Sequence, residues 1–210
     1  MTLDLPDEPR WVEAHGIAAD PTSWRRPLGG GAAVGHDGAK LAVAYGDADP
    51  LALAALVRAH PAHTFLVAEA LVAALPRPAT RAILHALPDP GVLPDYDGAT
   101  LLADNVDVPA PLADELRGHR VWCTYVDGTP VAFSYATWRS RRWFDVSVDT
   151  LPGARQLGLG TLVAAALIHD ERARGREPVW GADEHNLASL RLAARLGFVA
   201  VDELWVAPPQ

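Results

Sequence analysis

The segment Arg155-Gln156-Leu157-Gly158-Leu159-Gly160 lies between a β-branched run, Val146–Thr150, and an apolar segment, Thr161–Ile168. A strand, a glycine-rich turn and a helix in this order predict an α/β unit whose helix begins at the turn. The first N–H groups of such a helix have no intrahelical partner, and the helix dipole favours negative charge there. Because glycine lets a phosphate approach the backbone closely, the segment predicts an anion-binding site.

The second half of the chain alternates between strand and helix patterns. Asp127-Gly128 between two β-rich runs predicts a hairpin. The predicted elements are strands Arg120–Val126, Pro130–Thr137 and Trp143–Asp149, a helix from Leu159 to about Gly175, strand Pro178–Ala182, helix Leu187–Leu196 with Asn186 as its N-cap, and strand Val199–Ala207. This order predicts an α/β or α+β fold with helices packed on a mixed sheet.

The sequence predicts two parts. Residues 1–100 are expected to form a separate lobe that is helical and rich in loops, and residues 101–210 are expected to form a second domain. Residues 1–48 are rich in glycine, proline and aspartate, with Gly29–Gly31 expected as a flexible turn. Helices are predicted over Leu51–Arg58, Thr64–Leu75 and Ala79–Leu87. The turn-rich stretch 88–100 is the expected boundary. The lobe is expected to cover a substrate site or to be a degenerate second copy of the fold.

Composition excludes several classes of function. The net charge of −8, with Lys40 as the only lysine, argues against a nucleic-acid partner. Cys123 is the single cysteine, so no disulfide framework or cysteine zinc site is expected. His60, His63 and His85 lack a convergent acid at helical spacing, so surface or capping roles are favoured and no metal is expected. The N-terminus has no signal-peptide pattern and the apolar segments are short, which predicts a cytoplasmic protein without a membrane partner.

Three designs for binding a phosphate compound compete at the glycine-rich segment. A P-loop requires a Gly-Lys-Ser/Thr sequence, which the segment lacks. A dinucleotide-binding turn requires a third glycine where this chain has Val163. The third design is coenzyme A binding, and the case for it is a resemblance carried by the Arg155-x-x-Gly158-x-Gly160 spacing.

That spacing resembles the pyrophosphate loop of the GCN5-related N-acetyltransferase (GNAT) superfamily. A second motif supports the resemblance: Trp180-Gly181-Ala182-Asp183, then Asn186-Leu187-Ala188-Ser189, and finally Leu192 to the Leu196-Gly197-Phe198 end. The similarity extends over about residues 109–207 and is greatest to a bacterial branch of unassigned substrate. It implies a GNAT fold, with a mixed, mostly antiparallel sheet flanked by helices.

The resemblance implies an acetyl-CoA-dependent N-acetyltransferase, in which a primary amine of a small molecule or peptide attacks the thioester directly. It places the pantetheine arm beside the strand that contains Val148 and Thr150. The expected contacts to the pyrophosphate come from Arg155, Gln156, Leu157, Gly158, Leu159, Gly160 and Thr161. Asn186 and Ser189 are expected to contact the coenzyme from the last helix. For Arg155 a solvated loop position, and for Asn186 a purely capping role, stay open as alternatives.

The catalytic groups are less defined by the resemblance. Asp145 and Asp149 are candidates for the general base, with Glu184, His185 and water as alternatives. Ala193 stands where many relatives have the tyrosine that protonates the departing thiolate. The alternative function is therefore a non-catalytic acyl-CoA-binding or regulatory module on the same fold. The acceptor and the oligomeric state, a homodimer included, stay open.

Overall fold

The computed structural model describes residues 5–88, 93–104 and 106–210, and these form eleven strands and five α-helices. The strands are β1 (Trp24–His36), β2 (Leu41–Ala48), β3 (Thr64–Val67), β4 (Thr80–Ala86), β5 (Thr100–Leu101), β6 (Trp122–Val126), β7 (Thr129–Tyr135), β8 (Trp143–Asp145), β9 (Ser147–Thr150), β10 (Glu177–Asp183) and β11 (Val199–Ala207). The helices are α1 (Val12–Ala19), α2 (Pro50–Ala59), α3 (Ala110–Leu116), α4 (Leu159–Arg172) and α5 (Leu187–Arg195). Pro90 and Gly91, in the predicted boundary segment, lie outside the described residues.

Two sheets make up the β-structure of these residues. The first has seven strands in the order β1-β2-β3-β11-β4-β10-β8, and the second has the order β5-β6-β7-β9. The pairs β2–β3 and β8–β10 are parallel and the other pairs are antiparallel. The predicted mixed, mostly antiparallel sheet with flanking helices is thus confirmed. The first sheet contains strands from both sides of residue 100, so its hydrogen bonding continues across the predicted boundary.

The two parallel pairs belong to one arrangement that occurs twice. Leu41–Val43 pairs with Thr64–Leu66, and Trp143–Asp145 pairs in the same way with Glu177–Val179. Helix α2 lies between the two strands of the first pair, and α4 lies between those of the second pair. In the first unit the 3₁₀ segment Glu69–Ala74 then leads to β4, and in the second unit α5 leads to β11. These last strands are exchanged between the two units, because β4 lies between β11 and β10 while β11 lies between β3 and β4.

Two of the helix predictions for the first hundred residues are wrong. Thr64–Leu75 forms β3 and a 3₁₀ segment, Glu69–Ala74, and Ala79–Leu87 contains β4. Phe65, Leu66 and Val67 are all buried, so β3 has no exposed face. A strand in this position reads as a continuous apolar run, which periodicity alone does not distinguish from a buried helix.

The predicted flexible turn at Gly29–Gly31 is also wrong, since these glycines lie inside β1. Gly31 pairs with Gly46 of β2. A Cβ atom on Gly31 would collide with the carbonyl oxygen of Tyr45 and lie 2.7 Å from the amide nitrogen of Ala48. The glycines therefore permit a close approach of two strands.

The predictions for the second half agree better with the structure. Asp127 (φ 49°) and Gly128 (φ 78°) form the hairpin turn between β6 and β7, in the left-handed conformation that a type I′ turn requires. Helices α4 and α5 and strand β11 lie where they were predicted. One difference matters for the site: the predicted strand Trp143–Asp149 is interrupted at Val146, which separates β8 from β9.

Apolar side chains pack on the sheets in several clusters that fix the positions of the helices. The cluster beneath α4 and α5 contains Phe144, Leu167, Ile168, Trp180 and Phe198. Another, which includes Phe65 and Leu53, lies beneath α2. None of the helices in the described ranges has the length and apolarity needed to cross a bilayer.

Candidate functional site

The glycine-rich loop leads from β9 into α4 and exposes the start of that helix. Gln156 (φ 66°) and Gly158 (φ 81°) both have left-handed backbone conformations, and Gly158 is the N-cap of α4. The N–H groups of Thr161 and Leu162 bond to the carbonyl oxygen of Gly158, at 3.0 and 3.2 Å. Gly158 offers no capping side chain and the first turn contains no acidic residue. The positive end of the helix dipole is therefore available to an anion.

Gly160 is the point at which three elements meet. A Cβ atom added to Gly160 would lie 3.2 Å from Thr150 Oγ1, 3.4 Å from Val148 Cγ1 and 3.5 Å from Leu192 Cδ2. The structure thus brings together Val148, Thr150 and Gly160, all of which were predicted from sequence. It adds Leu192 of α5, which was not predicted as a site residue. A larger side chain at position 160 would fill the junction between β9, α4 and α5.

Other predicted coenzyme residues lie around this junction. The Nε atom of Arg155 donates to the carbonyl oxygen of Thr150 at 3.2 Å, and Leu157 is 64% exposed. The side chain of Asn186 accepts a hydrogen bond from the Ser189 amide as the N-cap of α5. The hydroxyl of Ser189 accepts a hydrogen bond from Trp180 Nε1 at 2.9 Å. Asn186 and Ser189 therefore already have partners in the protein, and their contact with a coenzyme stays a prediction.

A wedge-shaped opening separates β9 from β10. The amide of Val146 donates to the carbonyl oxygen of Val179 at 2.9 Å, immediately after the last paired residues of β8 and β10. Beyond this bond β9 pairs with β7, with Ser147 opposite Tyr135, while β10 pairs with β4. The two strands thus part at Val146, and the opening between them leads toward the start of α4.

Two acidic side chains interact at the narrow end of this wedge. Burial raises the pKa of Asp145 to about 7, although the Trp138 amide, which donates to Asp145 Oδ1 at 2.7 Å, and the charge of Arg139 lower it. Burial, together with the negative charge of Asp145, raises the pKa of Glu13 on α1 to about 8. Both carboxyl groups therefore have pKa values raised toward neutral pH, the range that suits a general acid–base group.

Glu13 is a residue that sequence reasoning missed. Its atom Oε2 is enclosed and has no hydrogen-bond partner among the residues that the structure describes. Because α1 packs against β1 and β8, a residue near the N-terminus reaches a strand more than a hundred positions later. Nothing in the local pattern around Glu13 indicates that contact.

Asp149, the other predicted base, has a different environment. It accepts a hydrogen bond from the Tyr135 hydroxyl at 3.2 Å, and the same hydroxyl lies 3.4 Å from Glu115 of α3. Burial and these two carboxylates raise the pKa of Tyr135. The ring of His119 stacks on Tyr135 with centroids 5.5 Å apart. Asp149 thus belongs to a polar cluster beneath α3.

Packing and ion pairing account for two other positions singled out in the sequence. Ala193, expected to stand where many relatives have a tyrosine, is completely buried in the cluster beneath α4 and α5, and its methyl group offers no acid for a departing thiolate. Glu184, an alternative for the general base, is held in an ion pair by Arg81 at 2.7 Å.

Comparison with known proteins finds a family similarity in the second half of the chain. A family model described as GNAT acetyltransferase matches residues 122–206. The match covers less than half of the chain, and it shows that residues 122–206 are similar to this family. The matched region contains the wedge between β9 and β10, the glycine-rich loop and helix α5. A search of curated proteins finds no match.

Solved structures of GNAT proteins have the same fold over nearly the whole chain. A putative GNAT-family acetyltransferase from Novosphingobium aromaticivorans is 22% identical, with a TM-score of 0.66 and 96% of each chain covered. A GCN5-related N-acetyltransferase-like protein from Streptococcus suis is 17% identical, with a TM-score of 0.68 and 99% and 94% coverage. A tandem GNAT protein from the clavulanic acid biosynthesis pathway is 16% identical, with a TM-score of 0.52 and 94% and 93% coverage. At these identities the likeness shows the fold alone.

The GNAT family uses acetyl-CoA as donor and acts on amine acceptors in general.

Proposed function

We propose that the protein is an acetyl-CoA-dependent N-acetyltransferase that binds the coenzyme pyrophosphate at the start of α4. The observation that carries this proposal is the junction at Gly160, where β9, α4 and α5 meet beside a helix start without acidic residues. Backbone N–H groups of the loop, with Arg155 beside them, suit a doubly charged pyrophosphate. The wedge beginning at Val146 suits an extended pantetheine arm along β9.

Acetyl-CoA, when bound, would supply an activated acetyl thioester to a primary amine. The chain's own contribution is to position the reactants and to take a proton from the incoming ammonium group. Asp145 is better suited to this role than Asp149, because it lies at the wedge and has a pKa raised to about 7. Asp149 instead accepts the hydroxyl hydrogen bond of Tyr135. Glu13 would lie beside Asp145 as a second carboxyl group, which keeps its proton up to about pH 8.

The first hundred residues are, in this proposal, a degenerate copy of the GNAT unit. The repeated parallel pairs support this interpretation, and a structural relative is itself described as a tandem GNAT protein. At the start of α2 the side chain of Asp49 accepts a hydrogen bond from the Ala52 amide, and Pro50 offers no N–H group. A carboxylate in that position repels phosphate, so we expect one coenzyme site per chain.

Calorimetric titration with acetyl-CoA tests the proposed binding site. The unmodified protein should bind about one equivalent, whereas Gly160→Trp should lose binding because the new side chain fills the junction. Gly153→Trp is the matched control, since a Cβ atom on Gly153 meets no other atom within 4 Å. If a folded Gly160→Trp variant binds as tightly as the control, the loop assignment is wrong.

A second candidate function is a non-catalytic acyl-CoA-binding module, which the burial of Ala193 favours. Thiol release from acetyl-CoA, measured with a panel of amines at several pH values, separates the two. Release that depends on one class of amine supports the transferase. Tight coenzyme binding without release for any amine supports the binding module.

A further inference from the structure

We propose a second site in this protein: a divalent transition-metal site formed by Asp37, His60 and His63. One ligand atom from each of these side chains lies within 4.8 Å of the other two. His60 is the C-cap of α2, His63 precedes β3, and Asp37 lies in the turn between β1 and β2. The convergent acid that the sequence around the two histidines lacks is therefore supplied by a distant turn.

The separations of the ligand atoms suit a single ion. His63 Nε2 lies 3.1 Å from Asp37 Oδ1. Two ligand atoms that each lie about 2 Å from one zinc ion can be at most about 4 Å apart. The observed limit of 4.8 Å exceeds this distance by less than 1 Å, so a side-chain movement of about that size in the exposed Asp37 or the half-buried His60 would bring the three atoms within reach of one ion.

Neighbouring groups hold the three ligands in place, as second-shell groups do in metal sites. Trp24 Nε1 donates to Asp37 Oδ1 at 2.8 Å, and the ring of Trp24 stacks on His60 with centroids 4.9 Å apart. The amide of His63 donates to the carbonyl oxygen of His60 at 3.1 Å. The buried guanidinium of Arg77 donates to the carbonyl oxygen of His63, and this bond holds the backbone of the segment between α2 and β3.

The donor set indicates the class of metal. Two imidazole nitrogens and one carboxylate oxygen suit zinc, cobalt, nickel or copper. Magnesium and calcium prefer sets composed of oxygen atoms, so a site with one carboxylate does not suit them. The ion would connect the β1–β2 turn to the segment between α2 and β3, and it shares no residue with the proposed acetyl-transfer site.

Titration of chelator-treated, untagged protein with Co²⁺ and Zn²⁺ tests the site. The expected results are visible Co²⁺ absorption at one equivalent, its loss when Zn²⁺ is added, and a Zn²⁺-dependent rise in Tm. His60→Ala should weaken Zn²⁺ binding at least tenfold. Asp37→Asn should do the same, although an asparagine oxygen still accepts from Trp24. His185→Ala is the matched control, because His185 lies 4.0 Å from Glu184 and belongs to no group of three potential ligands among the described residues.

The three side chains could instead form only a hydrogen-bonded and stacked cluster. In that case Zn²⁺ would not bind below about 100 µM, or His60→Ala and Asp37→Asn would bind it as tightly as His185→Ala. Either result would overturn the proposal. His60→Ala keeps the buried His63 and the Arg77 contacts, so its folding can be checked independently by its Tm in the absence of metal.

Discussion

The raised pKa of Glu13 leads to a measurable dependence of stability on pH. The pKa of this carboxyl group is about 8 in the folded protein and 4.5 in an unperturbed chain. Between these values the folded state holds a proton that the unfolded state has released. The free energy of unfolding must therefore fall as pH rises from about 4.5 to about 8. Replacing the group with the neutral amide in Glu13→Gln removes this contribution.

The magnitude follows from the shift. A difference of about 3.5 pKa units corresponds to about 5 kcal/mol at about 1.4 kcal/mol per unit. Part of the shift comes from the charge of Asp145, and side-chain relaxation reduces both contributions. We therefore expect Glu13→Gln to exceed the unmodified protein in stability by about 2–4 kcal/mol at pH 9 and by less than about 1 kcal/mol at pH 5.

Urea denaturation at pH 5, 7 and 9 measures this difference. Glu69→Gln is a suitable control, because Glu69 is exposed and the same change of side chain there should have little effect at any pH. The reasoning is refuted if the stability difference between Glu13→Gln and the unmodified protein is the same at pH 5 and pH 9. That result would mean that Glu13 ionises normally in the folded protein.

Three further substitutions test the site and the fold. Asp145→Asn should reduce kcat for thiol release by about 10²–10⁴-fold, and the variant should lose the increase in rate that has its midpoint near pH 7. An equal loss of acetyl-CoA affinity would contradict a role of Asp145 as the base. Glu171→Ala should lower the free energy of unfolding, measured in urea, by about 3–5 kcal/mol, because the guanidinium groups of Arg139 and Arg176 lose their almost fully buried carboxylate partner. A loss below about 1 kcal/mol would show that solvent replaces this carboxylate. Asp49→Ala should cost about 1 kcal/mol through loss of the α2 cap, whereas Asp49→Asn should stay close to the unmodified protein in the same assay.

The second half of the chain could be predicted closely because its signals are local. Asp127-Gly128 specifies a turn within the two residues themselves, and the structure has them in the required conformation. The cap at Asn186 and the left-handed Gly197 (φ 88°) likewise define the ends of α5. Such signals need no knowledge of distant parts of the chain.

The first half depended on contacts that sequence does not reveal. Both faces of β3 are covered, because Phe65 and Val67 pack in the cluster beneath α2 while Leu66 packs with residues of α1. One of its paired neighbours, β11, is more than a hundred residues away. The same applies to the candidate site, since Glu13 reaches Asp145 only through the packing of α1 against β8. The loop residues Gln156 to Gly160 could be predicted, whereas the carboxyl pair could not.

The exchange of β4 and β11 makes each half of the molecule necessary for the other. Without β4, one edge of β10 would lose its antiparallel partner, and β11 would lose the strand that joins it to β10. The wedge between β9 and β10 depends on that pairing, because β10 can part from β9 only while β4 holds it on the opposite side. The first hundred residues therefore shape the proposed acetyl-transfer site even though Asp49 and Pro50 close their own helix start to phosphate.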